Sequence, residues 1–129
     1  MITTPFSFIA SANTVSHCRG RPVFVDIDPQ THNVDPNAMA AAITPRTRAL
    51  LIVHLYGLPA DMRPLLDLAR RHDLAVIEDC AQAIGARYEG RRVGSFGTLA
   101  CLSFTQQRIS GPTAMGARLS PGAANGCKN

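Results

Sequence analysis

Two polar side chains that could contact a ligand lie at or near the ends of short apolar runs. Asp79 follows one run, and Ser103 lies near the end of another. Because ligands of open parallel sheets bind beyond the carboxyl ends of the strands, these residues offer a carboxylate and a hydroxyl where a ligand would sit. On spacing alone, an aspartate in this position is more often a helix cap or a loop residue than a ligand contact. His54 also ends an apolar run, and there we favour a hydrogen-bonded core residue over a catalytic one.

The elements that would position these side chains alternate between strand and helix patterns. Asp35 followed by Pro36 is typical of a helix N-terminus, and Asp61 is expected to cap a second helix. Alternation of this kind predicts an α/β fold with a mostly parallel sheet and helices on its faces. The predicted strands are 22–25, 49–54, 74–77 and 99–104, the predicted helices 37–42 and 62–72, and the predicted hairpin 88–94.

Length and composition are those of one globular domain. The chain has 129 residues, of which 46% are hydrophobic and 17% charged, so it can bury a core. No apolar run approaches the ~18 residues of a membrane span, and the N-terminus lacks a signal-peptide pattern. After Phe104 the periodic pattern stops. We therefore divide the chain into a folded part, residues 1–104, and a tail, residues 105–129, which is expected to be disordered.

The charge distribution argues against a nucleic-acid partner. All nine acidic residues lie at or before Glu89, and residues 1–104 carry a net charge of only +1. The remaining positive charge comes from the tail, so the folded part has no basic stripe of the kind that binds nucleic acid.

The cysteines indicate a reducing, cytoplasmic setting and no metal site. None of the four has zinc-ligand spacing, and there is no secretory signal to favour disulfides. Cys80 and Cys101 lie in apolar stretches, so both are expected to be buried.

The residues alone therefore indicate an α/β domain with a ligand-binding edge. They contain neither a dinucleotide-binding nor a P-loop glycine motif.

Several longer motifs, collinear from residue 3 to residue 104, carry the interpretation further. They are T-P-F-S-F-I-A-S-A-N (4–13), G-R-P-V-F-V-D-I-D (20–28), I-T-P-R-T-R-A (43–49), V-H-L-Y-G-L-P-A-D (53–61), I-E-D-C-A-Q-A-I-G-A (77–86) and G-R-R-V-G-S (90–95). In these motifs the chain resembles the DegT/DnrJ/StrS family of nucleotide-sugar aminotransferases, which depend on pyridoxal 5'-phosphate (PLP).

The resemblance implies part of the large domain of fold type I, the aspartate aminotransferase-like fold, and a set of cofactor contacts. Asp79 matches the carboxylate that keeps the pyridine nitrogen of PLP protonated. Gln82 matches the residue near the phenolic oxygen, Phe8 the aromatic residue that stacks on the ring, and Ser103 a phosphate contact. The alternatives are core packing for Phe8 and a helix-start hydrogen bond for Gln82.

The lysine that holds PLP in this family is missing from its expected position. Counted from Ser103 and Phe104, the family motif S-F-x-x-x-K-N-L-G places that lysine at Arg108. A guanidinium is not deprotonated in proteins, so it cannot attack an aldehyde or shuttle a proton. Lys128 is the one lysine among thirteen basic residues, and it lies twenty positions too late. The sequence thus predicts a catalytically inactive chain.

A frameshift accounts for the tail. An ancestral F-Y-P-A-K-N-L-G-A-Y-G-D-G-G-A-V-V-T, with one base deleted at the tyrosine codon, translates as residues 104–121 of this chain. We therefore interpret residues 105–129 as read out of frame, which also explains the absence of acids and of periodicity there.

The functional prediction is a truncated relative of an enzyme that transfers an amino group to a nucleotide-linked keto-sugar. The resemblance further implies a homodimer and an amino-acid donor such as glutamate. The alternative is a non-catalytic binding or scaffolding module that pairs with an intact paralogue. Residual activity through Arg108 or Lys128 is a third possibility.

Overall fold

The computed structural model describes residues 1–103 and 117–121, which contain eight strands and three helices. The strands are β1 (Ile2–Thr3), β2 (Val23–Phe24), β3 (Ala49–Val53), β4 (Ala75–Asp79), β5 (Arg87–Tyr88), β6 (Arg91–Arg92), β7 (Leu99–Ser103) and β8 (Ala117–Pro121). The helices are α1 (Ile9–His17), α2 (Pro36–Ala41) and α3 (Met62–Arg71).

Six of the strands form one sheet in the order β2-β1-β3-β4-β7-β8. The first five are mutually parallel, and β8 is antiparallel to β7. The register places Val53 and Asp79, the last residues of β3 and β4, side by side with Cys101 in the middle of β7. The predicted parallel sheet is thereby confirmed, and Asp79 is the last residue of its strand.

One face of this sheet is covered by α2 and α3. Its strand residues include Leu50, Ile52 and Val76, which form one cluster with the buried side chains of the two helices. We call this the packed face. Helix α3 contributes Met62, Leu65, Leu68 and Ala69, whose helical spacing turns one apolar stripe towards the sheet.

The opposite side, which we call the open face, carries the alternate residues of the same strands. Leu51, Ile77, Asp79 and Cys101 lie here because successive side chains of a strand point to opposite faces. Helix α1 lies against this face, where its Ser11 hydroxyl reaches Asp79.

Most of the predicted elements appear within one or two residues of their expected bounds. Helix α2 begins as expected, with the Asp35 carboxylate accepting the Asn37 N–H at 2.8 Å and Pro36 in the first turn. The predicted hairpin is β5–β6, and its two turn residues, Glu89 and Gly90, both have positive φ.

One prediction about a single residue was wrong, and another was right only in position. Asp61 is the N-cap residue of α3, as predicted, but its side chain makes no capping hydrogen bond within the described residues and instead accepts one from the Tyr88 hydroxyl. Cys101 is exposed, whereas Cys80 is buried as predicted. Cys101 points to the open face, where less of the described chain covers the sheet.

The sequence patterns also missed β1 and α1. The sequence of α1, I-A-S-A-N-T-V-S-H, has few strong helix formers, and Phe8 occupies its N-cap position. Beyond Ser103, residues 117–121 pair with β7 as β8. The rest of the predicted tail, including Arg108 and Lys128, lies outside the described residues, so its assignment as a frameshifted segment stays a prediction. No helix in the described part of the chain has the length and apolarity needed to cross a membrane.

Candidate functional site

A cleft of about 1100 Å³ runs along the open face of the sheet. Its floor consists of strand residues of the open face, and one wall is helix α1 with the segment before it. All four residues that the sequence marked as cofactor contacts line this one cleft, namely Phe8, Asp79, Gln82 and Ser103. The fold therefore brings together residues from both ends of its first 103 positions.

Asp79 lies at the carboxyl end of β4, which is a central strand of the sheet. Its Oδ1 accepts the Ala81 N–H at 3.1 Å, and its Oδ2 accepts the Ser11 hydroxyl at 2.8 Å. These two bonds fix the orientation of a half-buried carboxylate, and each oxygen keeps a lone pair for a ligand. Asp79 can therefore offer a charge-assisted hydrogen bond to a protonated ring nitrogen in the cleft.

Gln82 lies in the turn after β4, and its side chain is linked to the loop after β3. Its Oε1 accepts the Tyr56 N–H at 3.3 Å, which leaves the amide NH2 as a donor beside the cleft. The alternative of a helix-start hydrogen bond does not apply, because residues 80–86 form turns and not a helix.

Phe8 and Ser103 lie in the same cleft on different elements. The side chain of Phe8, directly before α1, is 59% exposed, which contradicts simple core packing. Ser103 is the last residue of β7 and is half-buried. They supply an aromatic face and a hydroxyl, which are the groups that a planar ring and a phosphate require.

Ser11 is a site residue that the sequence patterns did not reveal. It is 8% exposed, and its hydroxyl donates to Asp79 across 68 residues of sequence. Ser7 lies 3.4 Å from it, oxygen to oxygen. Since α1 itself was not predicted, no signal in the sequence placed Ser11 beside the carboxylate.

The donor set and the size of the cleft fit PLP. A carboxylate faces the cleft for the pyridine nitrogen, an amide for the phenolic oxygen, a hydroxyl for the phosphate and an aromatic ring for stacking. A volume of about 1100 Å³ is slightly larger than the roughly 300–1,000 Å³ typical of small-molecule sites, so PLP would occupy only part of the cleft. The lysine position is the one part of the predicted set that lies outside the described residues.

A second group of titratable side chains lies behind the cleft, on the packed face. His54, Glu78 and Cys80 are buried, and their potential ligand atoms lie within 4.8 Å of one another. His54 Nδ1 accepts the Ala60 N–H at 3.0 Å, so Nε2 carries the ring proton and donates to Glu78 Oε2 at 3.2 Å. The prediction that His54 is a satisfied core residue is confirmed.

The Glu78 carboxylate is saturated with donors. Besides His54, it accepts the N–H groups of Gly94, Phe96 and Gly97 at 2.6–2.7 Å. Burial alone would raise the pKa of Glu78, but the bonds from His54 and the three backbone donors together lower it.

Cys80 completes this group as an un-ionised thiol. Burial, together with the nearby Glu78 and Asp79 carboxylates, raises the pKa of Cys80 to about 12. Through Glu78, which binds both His54 and the backbone N–H groups of Gly94, Phe96 and Gly97, the group stabilises the loop 94–97.

Comparison with known proteins places this geometry in a family. Residues 1–111 match the model of the DegT/DnrJ/EryC1/StrS aminotransferase family. The chain is 53% identical over 104 residues to the UDP-N-acetyl-3-dehydro-alpha-D-glucosamine 3-aminotransferase of Acidithiobacillus ferrooxidans, covering 81% of this chain and 28% of that protein. It is 50% identical over 109 residues to the GDP-perosamine synthase of Caulobacter vibrioides, and this match covers 84% of this chain and 29% of that protein. The chain thus spans less than a third of the length of these relatives.

Solved structures agree with the sequence matches. The aminotransferase from Psychrobacter cryohalolentis superimposes with a TM-score of 0.89 at 44% identity, over 95% of this chain and 31% of that chain. The NtdA protein of Bacillus subtilis, solved with bound cofactor PMP, superimposes with a TM-score of 0.84 at 37% identity. This match covers 93% of this chain and 27% of that chain.

These neighbours have fold type I, so the predicted fold class is confirmed. This chain therefore belongs to the DegT/DnrJ/EryC1/StrS aminotransferase family, in agreement with its sheet, its cleft and its motifs.

Proposed function

We propose that the cleft on the open face is the cofactor-holding part of a sugar aminotransferase site, and that this chain binds the cofactor without transferring an amino group. The observation that supports this most directly is the Asp79 carboxylate, held by Ser11 and Ala81 at the end of β4 inside the cleft. Phe8, Gln82 and Ser103 surround the same space.

Each of these residues has a distinct task in the proposal. When bound, PLP supplies an electron sink, provided that its pyridine nitrogen stays protonated. Asp79 keeps the ring nitrogen protonated, because an ionised carboxylate stabilises the positive charge beside it. Phe8 stacks on the ring, Gln82 donates its amide N–H to the phenolic oxygen, and Ser103 donates its hydroxyl to the phosphate.

The absence of amino-group transfer rests on Arg108. The position of the family lysine holds a guanidinium, which keeps its proton and is therefore no nucleophile. The proposed frameshift accounts for this substitution. Sequencing the gene tests it: read in the alternative frame, codons 105–121 should spell P-A-K-N-L-G-A-Y-G-D-G-G-A-V-V-T, the tyrosine codon itself having lost a base.

The names of the relatives support the substrate class. One is named for a UDP-linked dehydro-sugar and another for GDP-perosamine. We propose that the lineage of this chain aminated a nucleotide-linked keto-sugar, with an amino acid such as glutamate as donor, in a cytoplasmic homodimer.

Cofactor binding tests the proposal directly. The purified 129-residue chain is titrated with pyridoxamine phosphate, which needs no lysine, and the fluorescence of the ligand is followed. Saturable binding that Asp79→Ala weakens at least ten-fold is the expected result. Binding of equal strength in both chains would contradict the proposed role of Asp79.

A trapping experiment tests the missing amino-group transfer. The chain is incubated with PLP, treated with borohydride and analysed by mass spectrometry. No stoichiometric adduct on a single residue is expected. An adduct on Lys128 would overturn the proposal of inactivity. A monodisperse chain that binds no cofactor but associates with an intact relative would favour the alternative of a scaffolding module.

A further inference from the structure

Three aromatic rings lie together at the carboxyl end of the sheet, outside the set of residues assigned to the cofactor. The ring of Phe6 stacks on His32, with centroids 5.9 Å apart and planes at 27°. It meets Tyr56 edge-on, with centroids 6.4 Å apart. The side chains of Phe6 and Tyr56 are 43% and 72% exposed. We call this group the aromatic platform.

Buried hydrogen bonds connect two of the segments that carry the platform. Asn33, which follows His32, is 2% exposed, and its amide group donates to the carbonyl oxygens of Leu58 and Pro59 at 3.1 and 3.3 Å. Its Oδ1 accepts the N–H of Leu55, directly before Tyr56, at 3.0 Å. His32 and Tyr56 are therefore held in place by a core side chain.

Phe6 and His32 are also fixed locally. The Phe6 N–H donates to the Thr4 hydroxyl at 3.1 Å. The turn before His32 closes on Asp28, whose carboxylate accepts the N–H groups of Gln30 and Thr31. A surface built in this way loses little conformational entropy when a ligand binds to it.

The backbone under the platform adopts an uncommon conformation. His32 and Tyr56 have φ angles of 57° and 52°, in the left-handed region that residues other than glycine rarely adopt. Such conformations persist where the surrounding structure imposes them, and they cluster at ligand-binding positions.

The platform adjoins the proposed cofactor cleft. Gln82 and Ser7 both line the cleft. The backbone N–H of Tyr56 donates to Gln82 Oε1, and Phe6 directly precedes Ser7 in the sequence. A ligand that occupies the cleft and extends past Gln82 would thus meet the rings of Tyr56 and Phe6.

We propose that the aromatic platform stacks the nucleobase of a nucleoside diphosphate-linked sugar. This inference rests on the proposed function, since the sugar would have to reach the cofactor cleft. Every nucleobase has a π face, so stacking on Phe6 and Tyr56 suits a base of any identity. The ring edges of Tyr56 and His32 add polar groups for the polar edge of a base.

The chain's own tyrosines report on this binding. It has two tyrosines and no tryptophan, so Tyr88→Phe leaves Tyr56 as the single fluorescent side chain. UDP, GDP and dTDP are titrated separately into this variant, with inorganic pyrophosphate as the control that lacks a base. Saturable quenching by at least one nucleotide but not by pyrophosphate is expected. No binding of any nucleotide at millimolar concentration would overturn the inference.

Variants locate the binding surface by calorimetry. Tyr56→Gly removes the ring and suits the left-handed backbone at this position, so the variant is expected to fold, which circular dichroism checks. Binding should weaken about 5- to 150-fold, the range found when a stacked aromatic residue is removed. Tyr56→Phe should retain binding. Phe6→Leu, which keeps an apolar side chain of similar bulk, should weaken binding as well.

A control variant tests whether the loss of any exposed aromatic ring weakens nucleotide binding. Phe24 in β2 is 50% exposed and lies outside the platform, so Phe24→Ala should leave nucleotide affinity unchanged. Equal affinities for Tyr56→Gly and the parent chain would refute the platform.

The two proposals fail in different ways. Pyridoxamine phosphate binding without nucleotide binding refutes the platform alone. Nucleotide binding that depends on Tyr56, without pyridoxamine phosphate binding, refutes the proposed cofactor site and leaves the platform as a nucleotide site.

Discussion

Glu78 and Asp79 are adjacent carboxylates in β4, yet they lie on opposite faces of the sheet and in different surroundings. Glu78 is fully buried on the packed face and accepts four hydrogen bonds from the protein. Asp79 lies half-buried on the open face and accepts two. The difference shows that neighbouring residues of one strand can have different roles. Glu78 stabilises the fold, whereas Asp79 can still accept hydrogen bonds from a ligand.

The same alternation holds for the apolar residues of β3. Leu50 belongs to the cluster that α2 and α3 cover, whereas Leu51 lines the cleft. The packed face is complete within the described residues. The open face is covered there by α1 and carries every predicted cofactor contact.

The largest expected effect is on the free energy of unfolding when a packed-face leucine is truncated. Leu50→Ala should lower it by about 3 kcal/mol, because the cavity is enclosed between the sheet and its helices. Leu51→Ala should cost less, about 2 kcal/mol, since Leu51 is buried but the vacated space opens onto the cleft. Urea denaturation followed by circular dichroism measures both. Equal losses would contradict the distinction between the faces.

The paired carboxylates give the next largest contrast. Glu78→Gln should lower the free energy of unfolding by about 2–3 kcal/mol, because an amide NH2 cannot accept the backbone N–H groups of the loop 94–97. Asp79→Asn should cost about 1 kcal/mol or less, since that side chain is half-buried and makes fewer bonds. The comparison fails if Asp79→Asn proves the more damaging change.

Stability should also depend on pH through Glu78. Its pKa in the folded chain lies below the ordinary value of 4.5, so the unfolded chain takes up the proton first as the pH falls. This contribution is fully present above pH 4.5 and is lost as the pH falls through the lower folded pKa. Unfolding measured from pH 6 to pH 3 should show a loss in the parent chain that exceeds the loss in Glu78→Gln. Parallel curves for the two chains would refute the assignment.

The smallest expected effect concerns Ser11. Ser11→Ala removes the 2.8 Å hydrogen bond that orients Asp79, so pyridoxamine phosphate should bind about five-fold more weakly, which corresponds to one hydrogen bond of about 1 kcal/mol. Ser11→Thr keeps the hydroxyl and should restore the affinity. A threonine variant as weak as the alanine variant would argue against positioning by this bond.

The elements with strong local signals were predictable from the sequence. The continuous apolar run of β3 and the amphipathic pattern of α3 appear almost as expected. The family motifs identified Asp79, Gln82, Phe8 and Ser103, and the fold brings all four into one cleft.

The contacts that depend on tertiary structure were not predictable. Helix α1 lacks a strong amphipathic pattern, so the Ser11–Asp79 hydrogen bond left no trace in the sequence. The role of Glu78 depends on a loop 16–19 residues further along the chain, whose backbone N–H groups turn inward to the carboxylate. Backbone donors carry no side-chain signature, so a pattern of residue types cannot reveal them.

The central claim is that the open face, through Asp79, holds the cofactor. The most direct test is to titrate pyridoxamine phosphate into the parent chain and into Asp79→Ala. Circular dichroism verifies beforehand that both chains are folded. We predict saturable binding to the parent chain and at least ten-fold weaker binding to the variant. Equal binding to the two folded chains, or no saturable binding to the parent chain, would contradict it.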